Sequence, residues 1–225
     1  MKNIVVFTGA GISAESGLGT FRDSGGLWDK YKIEEVATPE AFKSNPKLVL
    51  DFYNLRRRQL LKTTPNSAHY SLNKLQDKYN LSVVTQNIDD LHERSGTENV
   101  LHLHGKLRES KSVLDNSIYS IEGADLNLGD LCPNGAQLRP NVVWFGESVP
   151  KMDEAINLVL QADIFITIGT SLNVYPAASL LSYAKRAKRI IIIDPNAEFY
   201  KGVEIIKQKA SIAVPNLVSD LLCYA

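Results

Sequence analysis

Cysteine is scarce in this sequence of 225 residues, which contains only Cys132 and Cys223. Two cysteines cannot build the dense disulfide framework of a small secreted protein, so we expect a reducing, cytoplasmic environment. No apolar run approaches the roughly 18 residues that a membrane-spanning helix needs, and the N-terminal residues lack the long apolar region and cleavage site of a signal peptide. The sequence therefore predicts a cytoplasmic protein without a membrane anchor.

An excess of one charge is also missing, because 25 Lys and Arg residues balance 25 Asp and Glu residues. A balanced charge predicts no general affinity for nucleic acid or for anionic membranes. Internal repeats and low-complexity segments are absent as well. A chain of this length can bury one core with a small appended lobe, so we expect a single, monomeric domain over residues 1–225.

The sequence does contain a glycine-rich turn after its first apolar segment. Residues 2–8 are apolar and β-branched, which predicts a short buried strand. The next segment, GAGISA over residues 9–14, fits the pattern G-x-G-x-x-G/A. Its first glycine permits a tight turn, its second lets the backbone approach a pyrophosphate, and free N–H groups of the following helix face the phosphates. The segment predicts dinucleotide binding, and an ordinary strand-to-helix turn is the alternative.

Apolar strands alternate with amphipathic helices along the rest of the chain. Further strands are predicted at residues 81–85, 163–168 and 189–194. The helix before residue 163 has apolar residues at helical spacing that should pack one face against the sheet, namely Met152, Ala155, Ile156, Val159 and Leu160. This alternation is typical of an α/β fold, here a Rossmann-like, doubly wound parallel sheet.

Two segments interrupt the alternation. Residues 38–80 are predicted to be helical throughout, with Pro39, Pro46 and Pro65 at helix starts. Residues 105–138 are polar and rich in loop-forming residues, which predicts a small lobe inserted into the main domain. The Rossmann-like core then consists of about residues 1–37, 81–104 and 139–225.

Polar residues cluster where the predicted strands end. Residues 86–89 follow one strand and residues 169–171 follow another. Open α/β sheets bind their ligands at the carboxyl ends of the strands, so these clusters predict a ligand site. Helix capping by Asp, Asn, Ser and Thr is the alternative interpretation of each cluster taken alone.

Five longer segments carry a family resemblance. They are GAGISAESGLGTFRD (9–23), TQNIDDLHERSG (85–96), LHLHG (101–105), LRPNVVWFGE (138–147) and GTSLNVYPA (169–177). In this order and spacing they resemble the motifs of the sirtuins, which are NAD-dependent protein lysine deacylases, and the resemblance runs from residue 4 to about residue 222. ATPEAF (37–42) and FYNLRRRQL (52–60) are most similar to bacterial sirtuins of the class that includes the mitochondrial desuccinylase. The resemblance implies NAD as cosubstrate and acyl-lysine proteins or peptides as partners.

The resemblance also implies which residues bind NAD. The first motif supplies the phosphate side and the cofactor-binding loop, the second surrounds the nicotinamide and its ribose, and later segments meet the adenosine half. The matching positions are Gly9, Ala10, Gly11, Ile12, Ser13, Glu15, Phe21, Arg22, Gln86, Asn87, Ile88, Asp89, Gly169, Thr170, Ser171, Asp194, Asn196 and Ala210. Asp194 stands where the family usually has Asn, so either Asp194 or Asn196 could meet the adenosine ribose.

His104 resembles the general base, because it directly precedes Gly105 in the family's HG pair. A neutral imidazole can take a proton from a ribose hydroxyl near neutral pH. The family mechanism implies that the acyl oxygen attacks ribose C1′, that nicotinamide leaves, and that His104 helps the 2′-hydroxyl attack the intermediate, with Asn87 and Asp89 at the nicotinamide ribose. The products are free lysine, nicotinamide and 2′-O-acyl-ADP-ribose. The remaining histidines are interpreted as structural or exposed, namely His69, His92 and His102.

Substrate positions follow from the same resemblance. Tyr53 and Arg56 match a pair that binds the terminal carboxylate of the acyl chain in the desuccinylase class. At this spacing both side chains project from one helical face, and a guanidinium can hold a carboxylate with two bonds. A solvated basic run over residues 56–58 is the alternative. Ala37 leaves room for a longer chain, which makes succinyl, malonyl and glutaryl lysine candidates beside acetyl lysine. The segment expected to pair with the substrate backbone consists of Val142, Val143, Trp144, Phe145, Gly146 and Glu147.

The chain departs from the family at the zinc site. Most sirtuins hold the small lobe together with Zn²⁺ on two C-x-x-C pairs, and structural zinc needs four ligands. Residues 105–138 contain a single cysteine, Cys132. Residues 109–112 are ESKS, where the first cysteine pair would begin. We therefore expect no zinc and a lobe held by its apolar residues, namely Leu107, Val113, Leu114, Ile118, Tyr119, Leu126, Leu128 and Leu131.

Three classes of function are considered. The favoured one is an NAD-dependent protein lysine deacylase. The second is an NAD hydrolase or ADP-ribosyltransferase on the same scaffold, which needs the same Asn87, Asp89 and His104. The third is an inactive NAD-binding module, suggested only by the missing zinc cysteines.

Overall fold

The computed structural model describes residues 1–19 and 30–223. It contains a large parallel sheet and a small antiparallel sheet. In chain order the strands are β1 (Asn3–Thr8), β2 (Asn80–Thr85), β3 (Val100–His102), β4 (Gly105–Ser112), β5 (Ile118–Ser120), β6 (Leu138–Val142), β7 (Ile164–Ile168), β8 (Arg189–Ile193) and β9 (Glu204–Ile206). The large sheet has the order β3-β2-β1-β7-β8-β9, with every neighbouring pair parallel. The chain moves outward from β1 in one direction and then from β7 in the other, which confirms the predicted doubly wound, Rossmann-like sheet.

The helices cover the sheet and fill the segment between β1 and β2. In chain order they are α1 (Gly11–Ala14), α2 (Ile33–Val36), α3 (Pro39–Ser44), α4 (Pro46–Lys62), α5 (Ser67–Asn73), α6 (Leu91–Arg94), α7 (Met152–Leu160), α8 (Leu180–Tyr183) and α9 (Ala210–Cys223), with 3-10 turns at Lys74–Asp77 and Ala177–Ser179. Pro39 and Pro46 begin α3 and α4, as predicted. Pro65 instead precedes Asn66, whose side chain caps α5. Among the described residues, no helix combines the length and the apolarity that crossing a bilayer requires.

The large sheet buries side chains on both faces, because successive strand residues point to opposite sides. Val6 of β1 packs with Leu72 of α5 on one face, in a cluster that includes α9. Phe7 of β1 packs with Val159 of α7 on the other face, in a cluster that includes α8. Full burial of one such side chain contributes about 1.5–3 kcal/mol. These two clusters fix the strand ends that carry the polar residues.

Helix α7 packs as predicted except at its last residue. Ala155 and Val159 are fully buried, and Met152 and Ile156 pack partly against the same cluster. Leu160 is 41 % exposed, so its assignment to the core was wrong. It follows Val159 by one position, and a step of about 100° around the helix turns it away from the sheet.

The small lobe is a three-stranded antiparallel sheet of order β5-β4-β6. Of the eight apolar residues predicted to hold it, only Leu107 and Leu126 are buried. Tyr119 is half-buried. The other five, Val113, Leu114, Ile118, Leu128 and Leu131, are between 50 % and 69 % exposed. The expectation that these residues hold the lobe is therefore confirmed for Leu107 and Leu126 and wrong for the five exposed ones, which no described part of the chain buries.

Helix α4 provides the attachment of the lobe instead. The Arg57 guanidinium is fully buried and donates to the carbonyl oxygens of Leu107 at 2.8 Å and Ala124 at 2.7 Å. The Asn54 side chain pairs with the backbone of Leu126 in both directions, at 3.1 Å and 2.9 Å. The interpretation of residues 56–58 as a solvated run fails at Arg57 and holds for exposed Arg58. One helix thus carries both the substrate candidates and the anchor of the lobe.

Candidate active site

The ends of β1, β2 and β7 lie side by side and bring the predicted polar clusters together. The N–H of Gly11 donates to the carbonyl of Gly169 at 2.8 Å. A Cβ atom on Gly9 would lie 2.7 Å from the Gly169 oxygen, and one on Gly11 would lie 2.6 Å from the Gly169 Cα. Both glycines are therefore required for the close approach of two loops, and this approach forms the floor of the site.

The structure corrects one detail of the phosphate-binding prediction. The N–H groups of Gly11, Ile12 and Ser13 at the start of α1 already have backbone partners, so these three are not free for phosphate. The Ile12 side chain is fully buried in the core, where it supports the turn. A dinucleotide binding here would depend on the shape of the cradle and on side chains more than on free amides of α1.

Three predicted residues form one buried polar cluster beside this turn. The Ser13 hydroxyl donates to an Asp89 carboxylate oxygen at 3.0 Å. The Asn87 amide donates to the carbonyl of Gly9 and to the Ser13 hydroxyl, both at 3.1 Å. Burial raises the pKa of Asp89, while the Leu91 backbone N–H and the Ser13 hydroxyl lower it. The cluster presents a carboxylate and an amide, which are groups that can hold the carboxamide and ribose of a nicotinamide nucleotide.

His104 lies beside this cluster with a defined tautomer. Its Nδ1 is 3.0 Å from the carbonyl oxygen of Gln86, which can only accept, so Nδ1 carries the proton and Nε2 has the free lone pair. Burial lowers the pKa of His104, and the bond to Gln86 raises it by a smaller amount. The Gln86 side chain in turn donates to the Thr170 hydroxyl at 3.0 Å. A neutral imidazole with Nε2 available is the form that a general base requires.

The predicted acyl-chain residues stand on α4 and face the segment after β6. Tyr53 is 1 % exposed, and its hydroxyl accepts a hydrogen bond of 2.9 Å from the Trp144 indole N–H. Burial raises the pKa of Tyr53 to about 12, so this hydroxyl keeps its proton and can donate it to a ligand. Arg56 is half-buried, and burial lowers its pKa, while the charges of Tyr53 and Asp89 raise it. The guanidinium therefore stands within electrostatic reach of both Tyr53 and Asp89, which are predicted to meet the acyl chain and the nicotinamide ribose.

The segment that is predicted to bind the substrate backbone, residues 142–147, is hydrogen-bonded to the residues around this site. Val143 donates its N–H to the carbonyl of His104 at 2.9 Å, and Phe145 donates to the carbonyl of Ala37 at 3.0 Å. Ala37 is buried, and its place beside the acyl chain stays a prediction. Gly146 is exposed at the surface, between Phe145 and Glu147, whose N–H groups are bound to the carbonyls of Ala37 and Trp144. The segment thus links the base, the acyl-chain residues and the surface.

Arg139 is a residue of this segment that sequence reasoning missed. It holds Glu147 with two hydrogen bonds of 2.8 Å, and its guanidinium carbon lies 3.5 Å from the centre of the Trp144 ring. Glu147 also accepts the backbone N–H of Trp144 at 2.8 Å. The Glu147 carboxylate therefore stabilises the turn that the segment 142–147 makes. It is not the group of Glu147 that would contact a peptide. The opposite charges eight positions apart in residues 139–147 were the available signal.

The adenosine-side candidates lie near the ends of β7 and β8. Gly169 donates to the carbonyl of Ile193 at 2.9 Å, and Ser171 is exposed. The Asp194 carboxylate accepts the backbone N–H of Asn196 at 2.8 Å, so the two candidates for the ribose belong to one turn. Both stay predictions.

Glu15 and Ala210 lie where the first turn meets helix α9. The Glu15 carboxylate binds the N–H of Ser211 at 3.1 Å and the hydroxyl of Ser211 at 2.5 Å, which places buried Ala210 beside α1. The Glu15 carboxylate is thus bound to Ser211, next to the predicted adenine-side residue Ala210, and both roles stay predictions. Phe21 and Arg22 lie outside the described residues.

The lobe does not offer the ligands that zinc needs. Within residues 1–19 and 30–223, no group of three or more His, Cys, Asp or Glu side chains could hold a metal ion. Buried Ser110 and Ser112 stand on β4 in the segment that corresponds to the first cysteine pair. A hydrogen bond from Ser112 lowers the pKa of Cys132, which is 4 % exposed. The residues present do not fit a tetrahedral thiolate site.

Comparison with known proteins gives a consistent result. The model of the Sir2 family matches residues 9–176. The chain is 52 % identical over 226 residues to an NAD-dependent protein deacylase of Helicobacter pylori, covering 99 % of this chain and 96 % of the relative. It is 49 % identical over 231 residues to an NAD-dependent protein deacylase of Bacteroides thetaiotaomicron, covering 99 % of both.

Solved structures with the same fold contain nucleotide or peptide ligands. A Sir2 homologue in complex with NAD superposes with a TM-score of 0.89 at 40 % identity, covering 99 % of this chain and 90 % of that chain. A complex of Sir2 with a p53 peptide and NAD⁺ superposes with a TM-score of 0.82 at 31 % identity, covering 98 % and 94 %.

Proposed function

Since this chain belongs to the Sir2 family, we propose that it is an NAD-dependent protein lysine deacylase that prefers acyl groups ending in a carboxylate. The observation that carries the acyl preference is the pair formed by Tyr53 and Arg56 on one face of α4, next to Trp144. The curated relatives named NAD-dependent protein deacylases support the reaction class.

NAD is proposed to lie across the carboxyl ends of β1, β2 and β7. The glycine-lined floor has no room for side chains, and the cluster of Ser13, Asn87 and Asp89 supplies polar groups at the nicotinamide end. Both amide hydrogens of Asn87 are bound to Gly9 and Ser13, so its Oδ1 is the group that can accept a hydrogen bond from the NH2 of a carboxamide. Solved relatives that bind NAD or ADP-ribose support this placement.

His104 is proposed to move a proton in the second half of the reaction. Its Nδ1–H is committed to Gln86, so Nε2 can take the proton of the ribose 2′-hydroxyl as that oxygen attacks the intermediate formed when the acyl oxygen displaces nicotinamide at C1′. Nicotinamide leaves with the electron pair of the C1′–N bond. Water completes the reaction, which yields free lysine and 2′-O-acyl-ADP-ribose.

The acyl chain is proposed to run past Ala37 and Trp144 and to end at α4. The Tyr53 hydroxyl keeps its proton and a guanidinium such as that of Arg56 stays charged in proteins, so together they can bind a carboxylate at the end of a succinyl or malonyl group. An acidic acyl group can form hydrogen bonds with this pair that an acetyl group, which has no terminal carboxylate, cannot form, and this difference favours the acidic group.

The small lobe is proposed to keep its structure without zinc. The bonds from Arg57 and Asn54 to the backbone of the lobe replace the metal as its anchor. Elemental analysis of the purified protein should then find far less than one zinc per chain, and a chelator should leave the thermal unfolding midpoint unchanged. Stoichiometric zinc, or a midpoint that falls with the chelator, would contradict this proposal.

Protein or peptide substrates are the proposed partners, and the backbone of residues 142–147 is proposed to bind them. The enzyme is proposed to act as a monomer in the cytoplasm. Solved Sir2 complexes that contain a p53 peptide support a peptide as the partner.

The reaction can be tested by mass spectrometry on one peptide that carries acetyl, succinyl or malonyl lysine, with and without NAD. We expect free lysine, nicotinamide and acyl-ADP-ribose in equal amounts, and a loss of about 100-fold or more in His104→Ala. Nicotinamide without free lysine would instead indicate an NAD hydrolase or an ADP-ribosyltransferase, and no product at all would indicate a binding module.

A further inference from the structure

The loop that carries Asn87 is held by two histidine rings, of which only His104 has a role so far. His104 binds the carbonyl of Gln86 through Nδ1 at 3.0 Å. His102 binds the next carbonyl, that of Asn87, through Nδ1 at 2.9 Å. The two rings thus hold consecutive peptide groups of one loop in the same way.

The remaining backbone groups of this loop are also engaged. Gln86 donates its N–H to the carbonyl of Thr8 at 2.9 Å, and Asn87 donates its N–H to the Thr85 hydroxyl at 3.0 Å. The Asn87 side chain is bound to Gly9 and Ser13, and the bond from His102 holds the remaining backbone polar group of this residue, its carbonyl oxygen. A buried carbonyl has few alternatives to its single donor, so the orientation of the Asn87 peptide depends on His102.

His102 is itself fixed by a carboxylate. Its Nε2 lies 2.8 Å from Glu93 of α6, and Lys106 of β4 lies 3.1 Å from the same Glu93 oxygen. Both partners of the His102 ring are acceptors, so a ring that satisfies both has a proton on each nitrogen. Burial raises the pKa of Glu93 and the bonds from His102 and Lys106 lower it, with a net result of about 2, so Glu93 stays ionised.

Glu93 binds two residues that lie on either side of His104 in the sequence. His102 and Lys106 flank His104 at two residues on either side, and both bind Glu93. Glu93 therefore clamps the segment that carries the base from both of its ends. The other charged or titratable groups near the His102 ring are Asp89, whose pKa it lowers, and His92, whose pKa it lowers as well.

We propose that His102 is a positioning residue, which Glu93 holds in place and which fixes the peptide plane of Asn87 so that the Asn87 amide meets the nicotinamide half of the substrate. This inference rests on the proposed function in that it assigns the nicotinamide ribose to Asn87. It accounts for a buried ionisable ring that the reaction itself does not use.

Two isosteric variants separate the two contacts of the ring. His102→Asn places an amide N–H where Nδ1 stands and keeps the bond to Asn87, whereas His102→Gln reaches the position of Nε2 and keeps only the bond to Glu93. We expect His102→Asn to retain kcat within about threefold and His102→Gln to lose about 10- to 100-fold, because a small misplacement of a reacting group is enough for such a loss. The KM for the acyl peptide should stay the same in both, since neither contact touches the peptide.

Thermal unfolding midpoints distinguish positioning from loss of structure. Each variant loses one hydrogen bond, so we expect similar midpoints and unequal kcat. Equal kcat losses in the two variants, or losses that follow the midpoints, would overturn the proposal. Glu93→Gln leaves the bond from His102 to Asn87 in place, so its kcat should stay within about threefold, as in His102→Asn. Glu154→Gln, which changes an exposed carboxylate paired with Lys151, is the matched control for the loss of charge.

A readout that needs no activity keeps this test independent of the proposed function. In nitrogen-15 NMR spectra of the ring nitrogens, we expect protons on both nitrogens of His102 in the wild type and on one of them in Glu93→Gln. A single proton on His102 in the wild type would overturn the clamp even if the enzyme is active. A wild type that does not deacylate any peptide would overturn the proposed function, and the spectra would still decide the role of Glu93.

Discussion

The indole N–H of Trp144 donates a hydrogen bond of 2.9 Å to the hydroxyl of Tyr53, across the interface between α4 and the segment after β6. This bond occupies one lone pair of the Tyr53 oxygen and leaves its proton for another acceptor. Trp144 is in turn held by Arg139, which stacks on its ring. The tyrosine that we assign to the acyl carboxylate is thus oriented by a residue of the substrate strand.

Removal of this bond should reduce the preference for acidic acyl groups. In Trp144→Phe we expect kcat/KM for a succinyl peptide to fall about 10-fold, because a hydrogen bond to a charged group contributes about 1.5–3 kcal/mol and now depends on a freely rotating hydroxyl. The value for an acetyl peptide should change much less. Phe42→Leu alters the packing of Trp144 without touching the bond and is the control. An equal fall for both peptides would contradict this role.

Arg57 should matter for stability, in contrast to its neighbour in the sequence. Arg57→Met removes the donor from the carbonyls of buried Leu107 and half-buried Ala124, and we expect a loss of about 2–4 kcal/mol in the free energy of unfolding. Arg58→Met removes only an exposed ion pair with Asp125 and should change it by less than about 1 kcal/mol. Urea unfolding of both variants measures the difference. Similar values for both would mean that α4 does not anchor the lobe.

Two buried histidines should make the protein sensitive to acid. Burial lowers the pKa of His69 from 6.5 to about 4 and that of His92 well below 6.5. Between pH 6.5 and 4 the unfolded chain binds protons that the folded chain does not, so stability is complete above pH 6.5 and falls as the pH falls toward 4.

The contribution of His69 over this window is roughly 3 kcal/mol at most. His69→Asn should therefore flatten the dependence of the free energy of unfolding on pH in that window. A wild-type stability that stays constant from pH 6.5 to 4 would refute the assignment.

The activity should have its own acid limb, set by His104. Because burial lowers its pKa below 6.5, the ring stays unprotonated to lower pH than a free histidine, and kcat/KM should begin to fall only below pH 6.5. A pH profile on an acyl peptide measures this limb. A midpoint above pH 6.5 would show that the acid limb is not set by His104 in its neutral form bound to Gln86.

Local patterns in the sequence were sufficient to predict the sheet and the place of the site. The predicted strands at residues 81–85 and 163–168 differ from β2 and β7 by one residue at their starts. The polar residues after them, among them Gln86 and Thr170, do lie together, because the ends of parallel strands in one sheet meet at the same edge. The periodicity of each strand and the polar residues that follow it can be read within short segments, so the sheet and the position of the site can be predicted from them.

Side-chain surroundings between distant segments could not be predicted in this way. Three consecutive arginines on α4 point in directions about 100° apart, and only the position of the lobe decides that Arg57 is buried. His102 was interpreted as structural because nothing in its own strand shows that Glu93 and the Asn87 carbonyl stand on either side of it. Such roles arise from contacts between segments that the sequence does not connect.

The central claim is that Arg56, beside Tyr53, selects an acyl group that ends in a carboxylate. The most direct measurement is the ratio of kcat/KM for succinyl and acetyl forms of one peptide, in the wild type, in Arg56→Met and in Arg58→Met. We expect a ratio above one in the wild type and in Arg58→Met, and a fall of about 10-fold or more in Arg56→Met with acetyl turnover retained. A ratio that does not change in Arg56→Met, with deacylation intact, would contradict the account.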